Sequence, residues 1–101
     1  MSERPSDVIC RAIGARVLLE FEYGGMRRVV APYCHGLTRR GSEVLRAVQI
    51  RGSSRSAGLG FGKLWTVSEM SRVRMTGEPF VPNDPDYNPE DRAIARIHCR
   101  I

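Results

Sequence analysis

Lysine is almost absent from this chain. Of its sixteen basic residues only Lys63 is a lysine, and the rest are arginines. Against eleven acidic residues they leave a formal net charge of +5. Arginine makes planar, two-pronged contacts with phosphate and carboxylate and stacks on bases, so an anionic partner is permitted. Cysteine is scarce too. Cys10, Cys34 and Cys99 are an odd number with no CxxC spacing, which implies no disulfide framework and fits reduced thiols in a cytoplasm. The opening residues lack an apolar segment of signal-peptide length, and no run approaches the length that spans a membrane. A soluble, cytoplasmic protein without a membrane partner is expected. There is no internal repeat, and 101 residues make one domain with one core.

What is present reads as a mainly β chain with a short N-terminal helix. Ser6 can cap that helix, Asp7 suits its first turn, and Val8, Ile9, Ala12 and Ile13 share a face before Gly14 ends it. In Val17 to Tyr23, Leu19, Phe21 and Tyr23 face one way and Glu20 and Glu22 the other, the wet side of an edge hairpin. Gly24-Gly25 is a hairpin turn. The return strand runs from Met26 to about Thr38, with Pro32 requiring an edge position or a bend and Gly36 a second bend or bulge. Glu43 to Gly52 reads as the central strand.

Gly52 to Gly62 reads as a flexible Gly/Ser loop. Lys63 to Val67 is a further strand, Ser68 caps one turn, and Arg72 to Met75 is a short strand ending at Thr76-Gly77. Pro79 to Pro89 is an irregular loop anchored by Phe80, Val81 and Tyr87. The end favours one helical turn at Asn88 to Asp91 and then a closing strand, in which Ala95, Ile97, Cys99 and Ile101 alternate with Arg96, His98 and Arg100. About five short strands at turn-rich spacing point to a small barrel or curled sheet, since closure hides sheet edges.

A short helix with Ile9, Ala12 and Ile13 precedes Phe21-Glu22-Tyr23; then come Arg28-Val29-Val30-Ala31-Pro32, Gly36-Leu37, Leu45-Arg46-Ala47-Val48-Gln49, Lys63-Leu64-Trp65 and the turn at Ser68. This order of features resembles the WYL domain in its short stand-alone form. They lie within roughly residues 8 to 76, with 77–101 as a Pro-rich loop and closing segment. The name-giving Trp-Tyr-Leu is Glu43-Val44-Leu45 here. The resemblance implies an Sm-like, SH3-type β-barrel and a non-enzymatic ligand-sensing role in bacterial or phage transcription or defence regulation. It also implies binding of nucleic acid or a nucleotide-like anion in a basic, partly aromatic groove. By position Arg28, Arg46, Gln49 and Lys63 would line that groove.

The residues themselves allow a groove holding Arg28, Arg46 and Lys63 if their strands are neighbours, with Tyr33 or Trp65 stacking a base and His35 at the rim. The competing assignments are a solvated arginine surface and, for Trp65, the core. Cys34-His35 and His98-Cys99 invite a zinc site, but neighbours on a strand diverge, so each pair offers one ligand to a given side. Neither metal nor cofactor is expected. The same divergence removes a Cys34–His35 thiol nucleophile, and Glu20/Glu22 and Asp84/Asp86 lack an apolar pocket that would tune them for catalysis. Gly58, Gly60 and Gly62 lead into a strand, which excludes a dinucleotide fingerprint. Ser53, Ser54 and Arg55 could close over a ligand. The expected function is binding of an anionic ligand, with output through a protein partner or a homo-oligomer. The alternative is a protein-interaction module with no small ligand.

Overall fold

The structure, a computed structural model, describes residues 4–52, 63–82 and 92–101. The Gly/Ser loop from Ser53, its proposed lid residues, the anchor Tyr87, the pair Asp84/Asp86 and the helical turn at Asn88 to Asp91 lie outside the described residues.

One helix, α1 (Pro5–Ala15), precedes six strands. Pro5 occupies the first turn, where its missing N–H costs nothing and its fixed φ suits a helix. The helix therefore starts ahead of Ser6 and is flanked by Arg4, not capped by a serine. Gly14 does not end it. The chain turns out at Arg16, which takes a left-handed φ of 55° and donates its backbone N–H to the carbonyls of Ala12 and Ile13. An isolated helix of this length is marginal, and it persists because Ile9, Ala12 and Ile13 are buried against the sheet.

The strands are β1 (Val17–Tyr23), β2 (Met26–Leu37), β3 (Glu43–Gly52), β4 (Lys63–Thr66), β5 (Met70–Pro79) and β6 (Arg96–Arg100). They form one antiparallel sheet in the order β4-β3-β2-β1-β5, and β6 pairs with β2. Gly24 and Gly25 both have positive φ, 60° and 77°, the geometry of a two-residue turn whose twist matches the strands it joins. A 3-10 turn at Val67–Glu69 joins β4 to β5, taking in Val67 and preceding the turn expected after Ser68. The sheet is not closed. The strand after this turn also begins earlier and ends later than Arg72 to Met75, and it pairs with β1. That places β1 between two neighbours, so Glu20 is not on an edge. It binds Arg27 and Arg74 at 2.6 and 2.9 Å.

β2 is the spine of the sheet. One side pairs with β3; the other pairs first with β1, through Leu19↔Val30, and then with β6, beginning at Cys34↔Arg100. Pro32 falls at this change of partner and beside a register shift against β3. It sits in an interior strand at the break between two ladder partners, where a missing backbone N–H costs the sheet least. Gly36 fits for a different reason. A Cβ there would stand 2.0 Å from the Arg96 carbonyl oxygen, so only glycine lets β6 close on β2.

The two faces of the sheet carry separate packing. Leu19, Phe21, Val30, Leu45, Ala47 and Trp65 meet the helix. Leu18, Val29, Ala31 and Tyr33 form a cluster with Val48 and Phe80, and Cys34, Val44 and Ile94 another with Leu64. Of the expected loop anchors, Phe80 packs on Tyr33, whereas Val81 is 74 % exposed.

Candidate functional site

Strand alternation sorts the expected groove residues. On β3, Leu45 and Ala47 face the helix, and Gln49 follows them in phase; Val44, Arg46 and Val48 face the other way. Arg46 is thus separated from Arg28 and Gln49 by the sheet itself. Tyr33 lies on the far face as well, buried against Phe80. Lys63 is placed opposite Ala47 in the β3–β4 ladder, and its side chain lies outside what the structure describes.

Arg28 and Gln49 do meet. The Arg28 guanidinium is buried, donating to Gln49 Oε1 and to the Tyr23 carbonyl at 3.3 Å each. Its carbon sits 5.6 Å from the centre of the Trp65 ring, a cation–π placement. Trp65 is itself fully buried, edge-on to Phe21 and Tyr23, with its indole N–H donated to the Ala47 carbonyl. It is a core residue. Among the described residues no carboxylate accepts from Arg28, and its Nε has no acceptor. Arg51, by contrast, is exposed and paired with Glu78 at 2.7 Å.

His35 lies at the other end of β2, seven residues and roughly 20 Å from Arg28. It is fully buried under the helix, not at a rim. Its Nε2 is 2.5 Å from Glu43 Oε2, and its Nδ1 is 3.5 Å from Cys10 Sγ and 3.6 Å from Cys99 Sγ. The His98 ring stands edge-on at 5.2 Å. Burial lowers the His35 pKa from its ordinary value more than the hydrogen bond and charge of Glu43 raise it, and His98 lowers it further.

Cys10 and Cys99 are joined in a disulfide across a sequence separation of 89. This corrects the expectation of reduced thiols throughout; Cys34 stays outside the disulfide, buried on the opposite face. No local pattern announces the pairing, because helix docking brings Cys10 over the β2–β6 ladder, where His35 opposes Cys99. One residue of each Cys-His pair, His35 and Cys99, meets Cys10, while His98, at a register shift in β6, sets its ring against His35. Cys10 is the partner that sequence reasoning missed, and the odd cysteine count was its only trace.

Near Glu43 a shallow cleft of about 370 Å³ is lined by Arg4, Ser6, Glu43, Val67 and Met70. It offers one basic and one acidic side chain and so has no charge preference. The chain matches no family model, no curated protein and no solved structure. No helix among the described residues is long and apolar enough to cross a membrane.

Proposed function

We propose that this chain is a non-enzymatic, ligand-sensing regulatory domain that holds an anion at the Arg28 end of its sheet. The ligand class is single-stranded nucleic acid or a nucleotide-like molecule. The observation that carries this reading is the state of Arg28: a buried cation with two long hydrogen bonds to neutral acceptors and, among the described residues, no carboxylate and no acceptor for its Nε–H. A buried charge without a counter-charge costs several kcal/mol, on the order of 3–5 when a pair is broken. An anion seated against the guanidinium removes that cost, and Gln49 is placed to add a neutral hydrogen bond. The strand order supports treating the sheet as an opened Sm-like, SH3-type barrel, the form expected of a WYL-like regulator in a bacterial or phage cytoplasm.

The test is fluorescence anisotropy with a short labelled single-stranded oligonucleotide over a salt series, with nucleotides and cyclic oligonucleotides as competitors. Binding should weaken as salt rises. It should fall at least about tenfold in Arg28→Met and stay unchanged in Arg46→Ala, whose side chain is on the other face. No binding of any of these by folded protein overturns the proposal in favour of a protein-docking module.

A further inference from the structure

The cluster at the far end of β2 has the chemistry of a metal centre. We propose that Cys10, Cys99 and His35 bind one zinc ion in the reduced chain, and that the Cys10–Cys99 disulfide is the oxidised, metal-free state of the same site. All three donor atoms lie within 4.8 Å of one another. Two sulfurs and an imidazole nitrogen are the donor set zinc prefers.

Two of the three donor separations already suit a tetrahedral site. Bonds of about 2.3 Å to sulfur and 2.0–2.1 Å to nitrogen, at the tetrahedral angle, place each sulfur about 3.6 Å from the nitrogen. The observed separations from His35 Nδ1 are 3.5 and 3.6 Å. Only the two sulfurs must part, to about 3.8 Å, and reduction frees them to do so. The fourth position falls to solvent on the cysteine side, where Cys10 and Cys99 are half-buried.

A second observation concerns the histidine. Glu43 accepts from Nε2–H, which leaves the neutral ring with its lone pair at Nδ1. The sulfurs of a disulfide carry no proton to offer it. A buried lone pair therefore points at two sulfurs without a donor, and a metal ion supplies the missing acceptor of electrons. Glu43–His35–metal is also the arrangement by which a carboxylate holds a ligating imidazole in one tautomer.

The chemistry balances with a dithiol as reductant. The disulfide takes two electrons and two protons from the dithiol, which becomes a disulfide, and Cys10 and Cys99 become thiols. Zinc then displaces both thiol protons, and His35 loses none. Oxidation by a disulfide runs the sequence backward and releases the ion.

Zinc titration of the full chain against a chromophoric chelator tests this. The reduced chain should bind one equivalent and release about two protons per ion; the oxidised chain should bind none. Cobalt should give a sulfur-to-metal charge-transfer band in the reduced chain only. Under reducing conditions Cys10→Ser, Cys99→Ser and His35→Gln should each weaken binding at least about a hundredfold, while Cys34→Ser should not. If reduction unfolds the chain, zinc should restore its native circular dichroism. Equal binding by both redox forms, retention in Cys99→Ser, or failure of zinc to bind or refold the reduced chain overturns the proposal.

Discussion

His35 and Glu43 are bound to each other at 2.5 Å, a fully buried imidazole on β2 held by a carboxylate at the start of β3 that is one-third exposed. Burial lowers the His35 pKa below 6.5, against the upward pull of Glu43. The unfolded chain therefore takes up this proton more readily than the folded chain. Stability should be complete above the ordinary value of 6.5 and fall as pH drops from there toward the folded pKa. Urea midpoints across this window check the sign. Glu43→Gln removes the upward pull, so the His35 resonances should titrate at still lower pH by NMR. An upward move in that variant would show that Glu43 does not stabilise the imidazolium.

The disulfide ties the N-terminal helix to the last strand and closes almost the whole chain. In the chain-entropy view, a loop of about a hundred residues is worth about 4.7 kcal/mol, and loss of a native disulfide from a small domain costs about 2–5. Adding reductant to the wild type, without metal, should lower its urea stability by that amount. Cys99→Ser should match the reduced wild type and show no further response to reductant. A reductant effect that survives in Cys99→Ser would disprove the Cys10–Cys99 link.

Much of the framework was legible because it is local. Gly24-Gly25, the alternation of Leu19, Phe21 and Tyr23, and the bounds of Glu43 to Gly52 follow from turn chemistry and a period of two. β5 was read too short because Ser71, Arg72 and Arg74 are exposed and the apolar residues of its middle, Val73 and Met75, are only half-buried, so its apolar signal is thin. Its outward arginines pair with Glu20 and Glu22 of β1, a relation visible only once the strands are side by side. Arg28 and Arg46 part company for a similar reason. They are on adjacent strands, but the extra residue Tyr33 in β2, between the pairs Pro32↔Ala47 and Cys34↔Arg46, puts them on opposite faces. The Cys10 contribution depends on helix docking, which no spacing rule encodes.

Gly36 offers a sharp test of the β2–β6 junction. An added methyl group would collide with the Arg96 carbonyl at 2.0 Å and the Ile94 side chain at 2.6 Å. The first of these is backbone and cannot rotate away. Gly36→Ala should therefore cost about 1–3 kcal/mol, the usual range for overpacking. The loss should be concentrated in β6, seen as faster hydrogen exchange at Ile97 and Cys99, while β1 and β2 near Gly24 stay protected. Uniform loss across the sheet would mean that β6 is not an independently displaceable strand.

Arg28 separates ligand binding from folding. If its charge serves the fold, Arg28→Met should be costly. If it serves an anion, the neutral side chain of similar length should fit between Gln49, Tyr23 and Trp65 at little cost, because replacing a buried charge by a packed apolar group is often neutral or stabilising. The expected outcome is a stability equal to or above that of wild type in the absence of ligand, combined with loss of oligonucleotide binding. A second arm uses phosphate or oligonucleotide as a stabiliser. The wild type should gain melting temperature with ligand concentration, as any ligand that binds only the folded state requires, and Arg28→Met should gain none. A large intrinsic destabilisation in Arg28→Met, with the same ligand-induced gain, would make this arginine a structural residue and remove the anion site from the Arg28 end of the sheet.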